Sequence, residues 1–267
     1  MSNESNLVLQ ATDISIVFGG LRAVSNFNCK LREGELVGLI GPNGAGKTTV
    51  FNMLSGVYTP TEGEIDYWDR NGHVQKIGKK TPAVLNNIGI SRTFQNIRLF
   101  SKLTVADNIR IALHSSRKVH PWDVLFRTHT FRHDEKKMTE KVEELLSIFD
   151  MQDKMNELST NLPYGQQRKL EICRALASKP QLLLLDEPAA GMNPQETDEL
   201  MKLIAMIRKK FNVTILLIEH DMHLVMGICE KIIVLNYGKV IAEGKADEIQ
   251  KNPEVVKAYL GEEAADA

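Results

Sequence analysis

The sequence predicts an α/β fold: a buried parallel sheet, an antiparallel β-layer contributed by the N-terminal part, and a helical segment set into the middle. Three observations carry that prediction. Residues 36–40, 182–185 and 213–218 are continuous apolar runs, as in parallel strands covered on both faces. Between the last two, Leu200, Leu203, Ile204 and Ile207 recur at helical spacing within residues 196–210, which makes a β-α-β unit. Residues 96–179 are patterned as helices almost throughout, the mark of a helical insertion between two core strands.

Taken in order, the chain opens on polar residues 1–6, without the basic-then-apolar pattern of a signal peptide. Apolar residues then tend to alternate (Leu7, Leu9; Ile14, Ile16, Phe18; Phe27, Cys29, Leu31), predicting half-buried antiparallel strands, and residues 63–68 continue that character. The apolar run 36–40 leads directly into Gly41-Pro42-Asn43-Gly44-Ala45-Gly46-Lys47-Thr48, followed by Thr49, Val50 and Phe51. A buried strand delivers the chain, glycines let it curl, and a helix opens at Lys47. Such a turn aims backbone N–H groups and a helix's positive end at a polyphosphate. Lys47 is expected to reach the β- and γ-phosphates and the Thr48 hydroxyl to ligate Mg²⁺. The loop therefore predicts a nucleoside triphosphate site.

In the middle, residues 106–113, 135–149 and 166–177 each carry an apolar face opposite charged ones. Residues 114–133 hold four of the seven histidines and several arginines around Trp122, Leu125 and Phe126. His129 and His133 stand four apart, as in a metal site, but no Cys accompanies them and the spacing is otherwise irregular. A basic, partly amphipathic surface segment facing a partner or headgroups fits better. Near the end, residues 232–235 and 240–242 flank Asn236-Tyr237-Gly238-Lys239, a hairpin. The acidic tail 261–267 is expected to fray.

Bulk composition narrows the function classes. The 267 residues are 43% hydrophobic and 25% charged with formal net charge −1, so no basic field points to nucleic acid as a partner. Cys29, Cys173 and Cys229 are far apart and form no Cys-x-x-Cys pair, as reduced, buried thiols in a cytosolic protein would be. No apolar run approaches the ~20 residues that span a bilayer, so at a membrane another chain must do the spanning.

Two strand ends carry acids. Asp186, closing the run 182–185, is placed to hold Mg²⁺ through water, and Glu187 to polarise an attacking water. The run 213–218 ends in Glu219-His220, beside the same sheet edge, where a donor to a γ-phosphate is useful.

Residues 161–168, Asn-Leu-Pro-Tyr-Gly-Gln-Gln-Arg, resemble the Leu-Ser-Gly-Gly-Gln signature of ABC-type ATPases. With that element the chain, from about Leu7 to Leu260, resembles a nucleotide-binding subunit of an ABC transporter. The resemblance implies a P-loop NTPase fold with a RecA-like core: residues 1–95 as its first part with the antiparallel β-subdomain, 96–179 as the helical signature subdomain, and 180–267 as its second part. It further implies ATP and Mg²⁺ as ligands, Phe18 stacking on adenine, Gln95 as the Q-loop glutamine that ligates the metal and through which closure shifts the helical subdomain, and His220 as the switch histidine. Glu187, His220 and Gln95 are then the catalytic group. The phosphate loop (Gly41, Pro42, Asn43, Gly44, Ala45, Gly46, Lys47, Thr48, Thr49) binds nucleotide from one side. Gly165 and Gln166 of a second subunit cap the γ-phosphate, so that two chains sandwich two ATP molecules head to tail; closure of that dimer rocks the permeases. Thr48, Gln95 and Asp186 hold the metal. The chain departs from the usual pattern at Pro163, Tyr164 and Asn193. Pro163 lacks the serine hydroxyl, leaving backbone donors around Gly165 and Gln166, and a proline is comfortable in a helix's first turn.

Those departures, together with residues 92–100 (Arg-Thr-Phe-Gln-Asn-Ile-Arg-Leu-Phe), 186–194 (Asp-Glu-Pro-Ala-Ala-Gly-Met-Asn-Pro) and 252–261, resemble the LivG-type ATPases of branched-chain amino acid importers. That likeness implies two membrane permeases, a second ATPase subunit (the same chain or a related one), indirectly an extracytoplasmic solute-binding protein, and a peripheral place on the cytoplasmic face of the cell membrane. ATPases of urea or amide importers and of lipopolysaccharide export complexes resemble it closely as well. Soluble ABC ATPases are a poorer match, since they usually carry two ATPase domains or a long coiled-coil insertion.

Overall fold

The computed structural model of the protein describes residues 6–115 and 129–260, with side chains for 6–113 and 135–259. The side chains of 114–133, on which both readings of the histidine-rich stretch depend, lie outside the described residues, as does the tail 261–267.

In chain order the elements are β1 (Leu7–Phe18), β2 (Leu21–Arg32), β3 (Leu36–Ile40), α1 (Lys47–Leu54), β4 (Glu62–Trp68), β5 (Val74–Lys76), α2 (Pro82–Ile88), β6 (Ile90–Arg92), α3 (Val105–Ser115), α4 (His129–Ile148), α5 (Tyr164–Ala177), β7 (Leu182–Asp186), α6 (Pro194–Phe211), β8 (Thr214–Ile218), α7 (Met222–Ile228), β9 (Lys231–Asn236), β10 (Lys239–Gly244), α8 (Ala246–Gln250) and α9 (Pro253–Leu260). They gather into two compact units, Met1–Gln95 with Pro180–Ala267, and Asn96–Lys179.

The first unit holds two sheets. The alternating N-terminal strands form an antiparallel sheet in the order β2-β1-β4-β5. The continuous apolar runs form the parallel core of a six-stranded sheet, β10-β9-β3-β8-β7-β6, with β10 antiparallel at one edge. Every residue of β3, β7 and β8 is buried, as a sheet covered on both faces requires. On one face Leu39, Leu184, Ile218 and Leu235 share a single apolar cluster with Phe51 of α1 and with Leu9 and Phe27 of the antiparallel sheet. Burying one such leucine or phenylalanine side chain stabilises by roughly 1.5–3 kcal/mol, so this cluster fixes the register of both sheets against α1.

Strand β6 was not predicted. Its three residues, Ile90–Arg92, are too short to show a period, yet they pair in parallel with β7 and bring Arg92 beside Leu184. The short β5 and α2 escaped notice for the same reason.

The second unit is helical. Val105, Ile109 and Leu113 of α3, Val142 and Leu146 of α4, and Leu170, Ile172 and Cys173 of α5 are buried. Asn108 is fully buried and satisfied: it accepts from the Phe100 N–H at 2.9 Å and donates to the Thr104 carbonyl at 3.0 Å. Helix α5 begins at Tyr164, with Pro163 at its N-cap (φ −53°, ψ 152°). The proline therefore precedes the helix and does not occupy its first turn. No helix among the described residues is long and apolar enough to cross a membrane.

Candidate active site

The site starts where β3 ends. Gly41 follows Ile40 with φ 150°, and a Cβ there would stand 2.1 Å from the Leu235 carbonyl oxygen, so only glycine lets the loop leave the sheet between its neighbours. The chain then curls through residues 42–46 into α1. The Lys47 side chain folds back across the loop, its Nζ donating to the Gly41 carbonyl at 2.7 Å and the Pro42 carbonyl at 2.9 Å. An ammonium is thereby held, largely buried, at the centre of a ring of backbone and at the positive end of a helix. Burial lowers its pKa, and the Glu187 carboxylate works against that shift.

The facing wall comes from the ends of β7 and β8. Glu187 follows β7 with φ 46°, an uncommon backbone for a glutamate, and its N–H donates to the Ile218 carbonyl at 2.9 Å. Its two carboxylate oxygens are held separately. Oε1 lies 2.9 Å from His220 Nε2, and Oε2 accepts from Gln95 Nε2 at 2.7 Å. Behind them Glu219 is buried, accepting from the backbone N–H groups of Ala189 (2.6 Å) and His220 (3.1 Å). Desolvation raises the Glu219 pKa, with those donors opposing.

Residues 43–49 of the loop, Gln95, Glu187 and His220 line one cavity of about 590 Å³. Ten of the expected residues thus meet on one surface. Gly41 and Pro42 serve from beneath, through the carbonyls that hold Lys47.

Phe18 and Asp186 are not among the lining residues. Phe18, at the end of β1, is 43% exposed and sits edge-on to Tyr58, ring centroids 5.3 Å apart at 70°. Asp186 is paired: its Oδ2 accepts from Arg92 Nη2 at 2.7 Å, and both side chains are more than nine-tenths buried. Arg92 also donates to Asn52 Oδ1 and Ser55 Oγ, each at 2.7 Å, and its guanidinium lies 5.7 Å from the Phe51 ring centroid and 5.1 Å from that of Phe94. This arginine ties β6 and β7 to α1, and sequence reasoning passed over it. The letter stood near Gln95 in the motif, but its partners are 37, 40 and 94 residues away. Arg22 and Tyr237 were also missed as lining residues.

The donor set fits a polyphosphate: a helix N-terminus, a buried ammonium, and a loop too tight for side chains at Gly41. For a divalent cation, Thr48 and Gln95 line the cavity, and Arg92 takes Oδ2 of Asp186 rather than Oδ1.

In the second unit, Gly165 and Gln166 form the first turn of α5. Gln166 Oε1 is buried with no partner, while Gln167 Nε2 donates to the Leu162 carbonyl at 2.8 Å. Arg168 and Glu171 form a buried pair at 2.9 Å that anchors this turn.

The family model described as ABC transporter matches residues 24–190. The chain belongs to the ABC transporter family. It is an ABC ATPase, hydrolysing ATP to power transport. A second model, described as branched-chain amino acid ATP-binding cassette transporter, matches residues 239–265 of this ABC ATPase. The ATPase is 46% identical over 258 residues to the high-affinity branched-chain amino acid transport ATP-binding protein LivG of Salmonella typhimurium, covering 97% of this chain and 99% of that one. It is 45% identical over 263 residues to BraF of Pseudomonas aeruginosa, a protein of the same description, with the same coverage. Among solved structures, the ADP conformation of MJ1267, an ATP-binding cassette of an ABC transporter, superposes with TM-score 0.81 at 28% identity, covering 96% of this chain and 99% of that one.

Proposed function

We propose that this ABC ATPase powers import of branched-chain amino acids through partner permeases, and that its catalytic centre is Glu187 held between His220 and Gln95. The observation that carries the catalytic half is the pair of bonds on Glu187, which fix a carboxylate at the mouth of the phosphate loop. In this reading residues 1–95 and 180–267 form the nucleotide-binding core and 96–179 the helical signature subdomain. Residues 41–49 grip the phosphates, with Lys47 supplying positive charge where it develops. Thr48, Gln95 and, through water, Asp186 would hold Mg²⁺, which would supply positive charge to the phosphate oxygens. Glu187 orients and polarises a water, His220 fixes the carboxylate and donates toward the γ-phosphate, and Gln95 links the carboxylate to the chain leading into the helical unit. Gly165 and Gln166 act on nucleotide held by a second ATPase subunit, since a helix N-terminus favours an anion.

The cargo reading rests on the relatives: proteins 45–46% identical over nearly the whole chain carry that description. It places the chain on the cytoplasmic face of the membrane, with two permeases and an external binding protein completing the importer. The test is radiolabelled leucine uptake in cells carrying Lys47→Ala, with protein level checked and glutamate uptake as control. Loss of leucine uptake alone is the expected result. Normal leucine uptake in a strain stripped of other leucine carriers would overturn the cargo assignment and direct attention to urea, amides or outer-membrane integrity.

A further inference from the structure

We propose that His223 is a positioning residue for ATP hydrolysis: paired with Asp198, it clasps together the two helices that leave the site and so sets His220 against Glu187. The inference rests on the reading of Glu187 and His220 as the catalytic pair.

The two residues stand on separate arms. From Glu187 the chain runs through two tight turns into the capping box of α6, the Ala190 N–H donating to the Glu187 carbonyl at 3.2 Å and the Met192 N–H to the Ala189 carbonyl at 3.0 Å. From His220 it enters α7 one residue later, at Asp221, whose side chain accepts from the N–H groups of His223 (2.9 Å) and Leu224 (3.3 Å). Local bonds therefore stiffen each arm from the site to its helix. At their roots the arms meet on Glu219, which accepts from the N–H of Ala189 on one and of His220 on the other. Further out the joint is small. His223 Nε2 lies 2.9 Å from Asp198 Oδ1. One turn along, a Cβ on Gly227 would stand 2.4 Å from Met201 Cε, so the methionine's methyl rests on bare backbone of α7. His223 and Gly227 are four apart and Asp198 and Met201 three apart, so both contacts follow one face of each helix.

The pair is exposed, at 69% for His223 and 55% for Asp198, so it adds little to the stability of the chain as a whole. Its leverage is geometric. Turnover depends on how Glu187 and His220 stand to each other, and a displacement of about 1 Å at such a site costs on the order of 10²-fold. The charged groups facing His223 are Asp198 from α6 and Asp221 from its own helix cap. The hydrogen bond to Asp198 raises the His223 pKa above its ordinary 6.5, against desolvation, and both carboxylate charges add to the rise. The clasp is therefore complete while His223 is protonated, and its ionic part is lost as pH climbs through that raised pKa.

The experiment is ATP turnover against pH for the full chain as wild type, His223→Gln, His223→Lys and Glu187→Gln, with the histidine ring resonances followed by NMR over the same range. Below pH 6.5 wild type is expected to outpace His223→Gln about threefold, the scale of an exposed ion pair, and the ratio should fall to one as pH rises through the His223 pKa. His223→Lys, which keeps its charge across this range, should restore the faster rate and hold it. In wild type the His220 resonance should carry a second inflection at the His223 pKa, absent from His223→Gln. A ratio that does not change with pH would overturn the inference. So would a His220 resonance blind to His223, which would make the pair a surface contact only. Full turnover in Glu187→Gln would instead sink the catalytic reading on which the inference stands.

Discussion

His220 Nε2 and Glu187 Oε1 lie 2.9 Å apart at the mouth of the phosphate loop, while Gln95 holds the other carboxylate oxygen at 2.7 Å. A carboxylate fixed at both oxygens is oriented before any ligand arrives, and each oxygen keeps a second lone pair with which to engage a water. General-base action of this kind contributes about 10²–10⁴-fold. Glu187→Gln is therefore expected to lower the ATP turnover number at least a hundredfold while retaining ATP binding, read by phosphate release and by calorimetry on the same preparation. Equal loss of binding and turnover would show that Glu187 mainly builds the site.

Arg92 and Asp186 are a buried pair whose arginine also satisfies Asn52 and Ser55. Removing one partner leaves a buried charge uncompensated, at a cost of about 3–5 kcal/mol. Arg92→Met should destabilise the chain by that much in urea unfolding, and adding Asp186→Asn should recover part of the loss. A change below about 1 kcal/mol would mean that water reaches Asp186 readily.

Glu219 has a raised pKa because it is buried. A carboxyl with a higher pKa folded than unfolded favours folding while protonated, below the ordinary value of 4.5, and loses that contribution as pH rises through its folded pKa. Glu219→Gln cannot titrate. The unfolding free energy of wild type relative to this variant should decline as pH climbs from 4.5, in paired urea titrations. A flat difference would contradict the burial argument.

Asn193 closes a capping box on α6: its side chain accepts from the Glu196 N–H at 3.0 Å, and Glu196 accepts from the Asn193 N–H at 2.9 Å. Asn193→Ala should cost about 1 kcal/mol, seen as a lower Tm, whereas Asn193→Asp should keep the cap. At this position, where the resemblance leads one to expect aspartate, asparagine does the same backbone work.

Legibility in the sequence followed the range of the interactions. Strand β3, the loop 41–48 and helix α1 were readable together because strand, turn and helix start are local signals. The runs ending in Asp186 and Glu219 were readable because parallel strands buried on both faces lose their polar residues. Side-chain direction was not readable. Whether Asp186 turns toward the cavity or toward Arg92 depends on β6, three residues with no period, and on a partner 94 positions away. Phe18 and Tyr237 show the same limit: only the family resemblance singled out Phe18, and the turn that carries Tyr237 to the cavity lies in the last quarter of the chain.

Cys29, Cys173 and Cys229 are all buried and free. Burial pushes Cys29 and Cys229 up to about 12, and Cys173 higher still. Since the thiolate is the form that reacts, none of them should take up a maleimide at neutral pH while the chain is folded. The natural protein is thus already a blank background for site-directed labelling. Single cysteines introduced on exposed faces of the two compact units can carry a pair of spin labels, and the distance between them can be followed through the nucleotide cycle without stripping a native thiol.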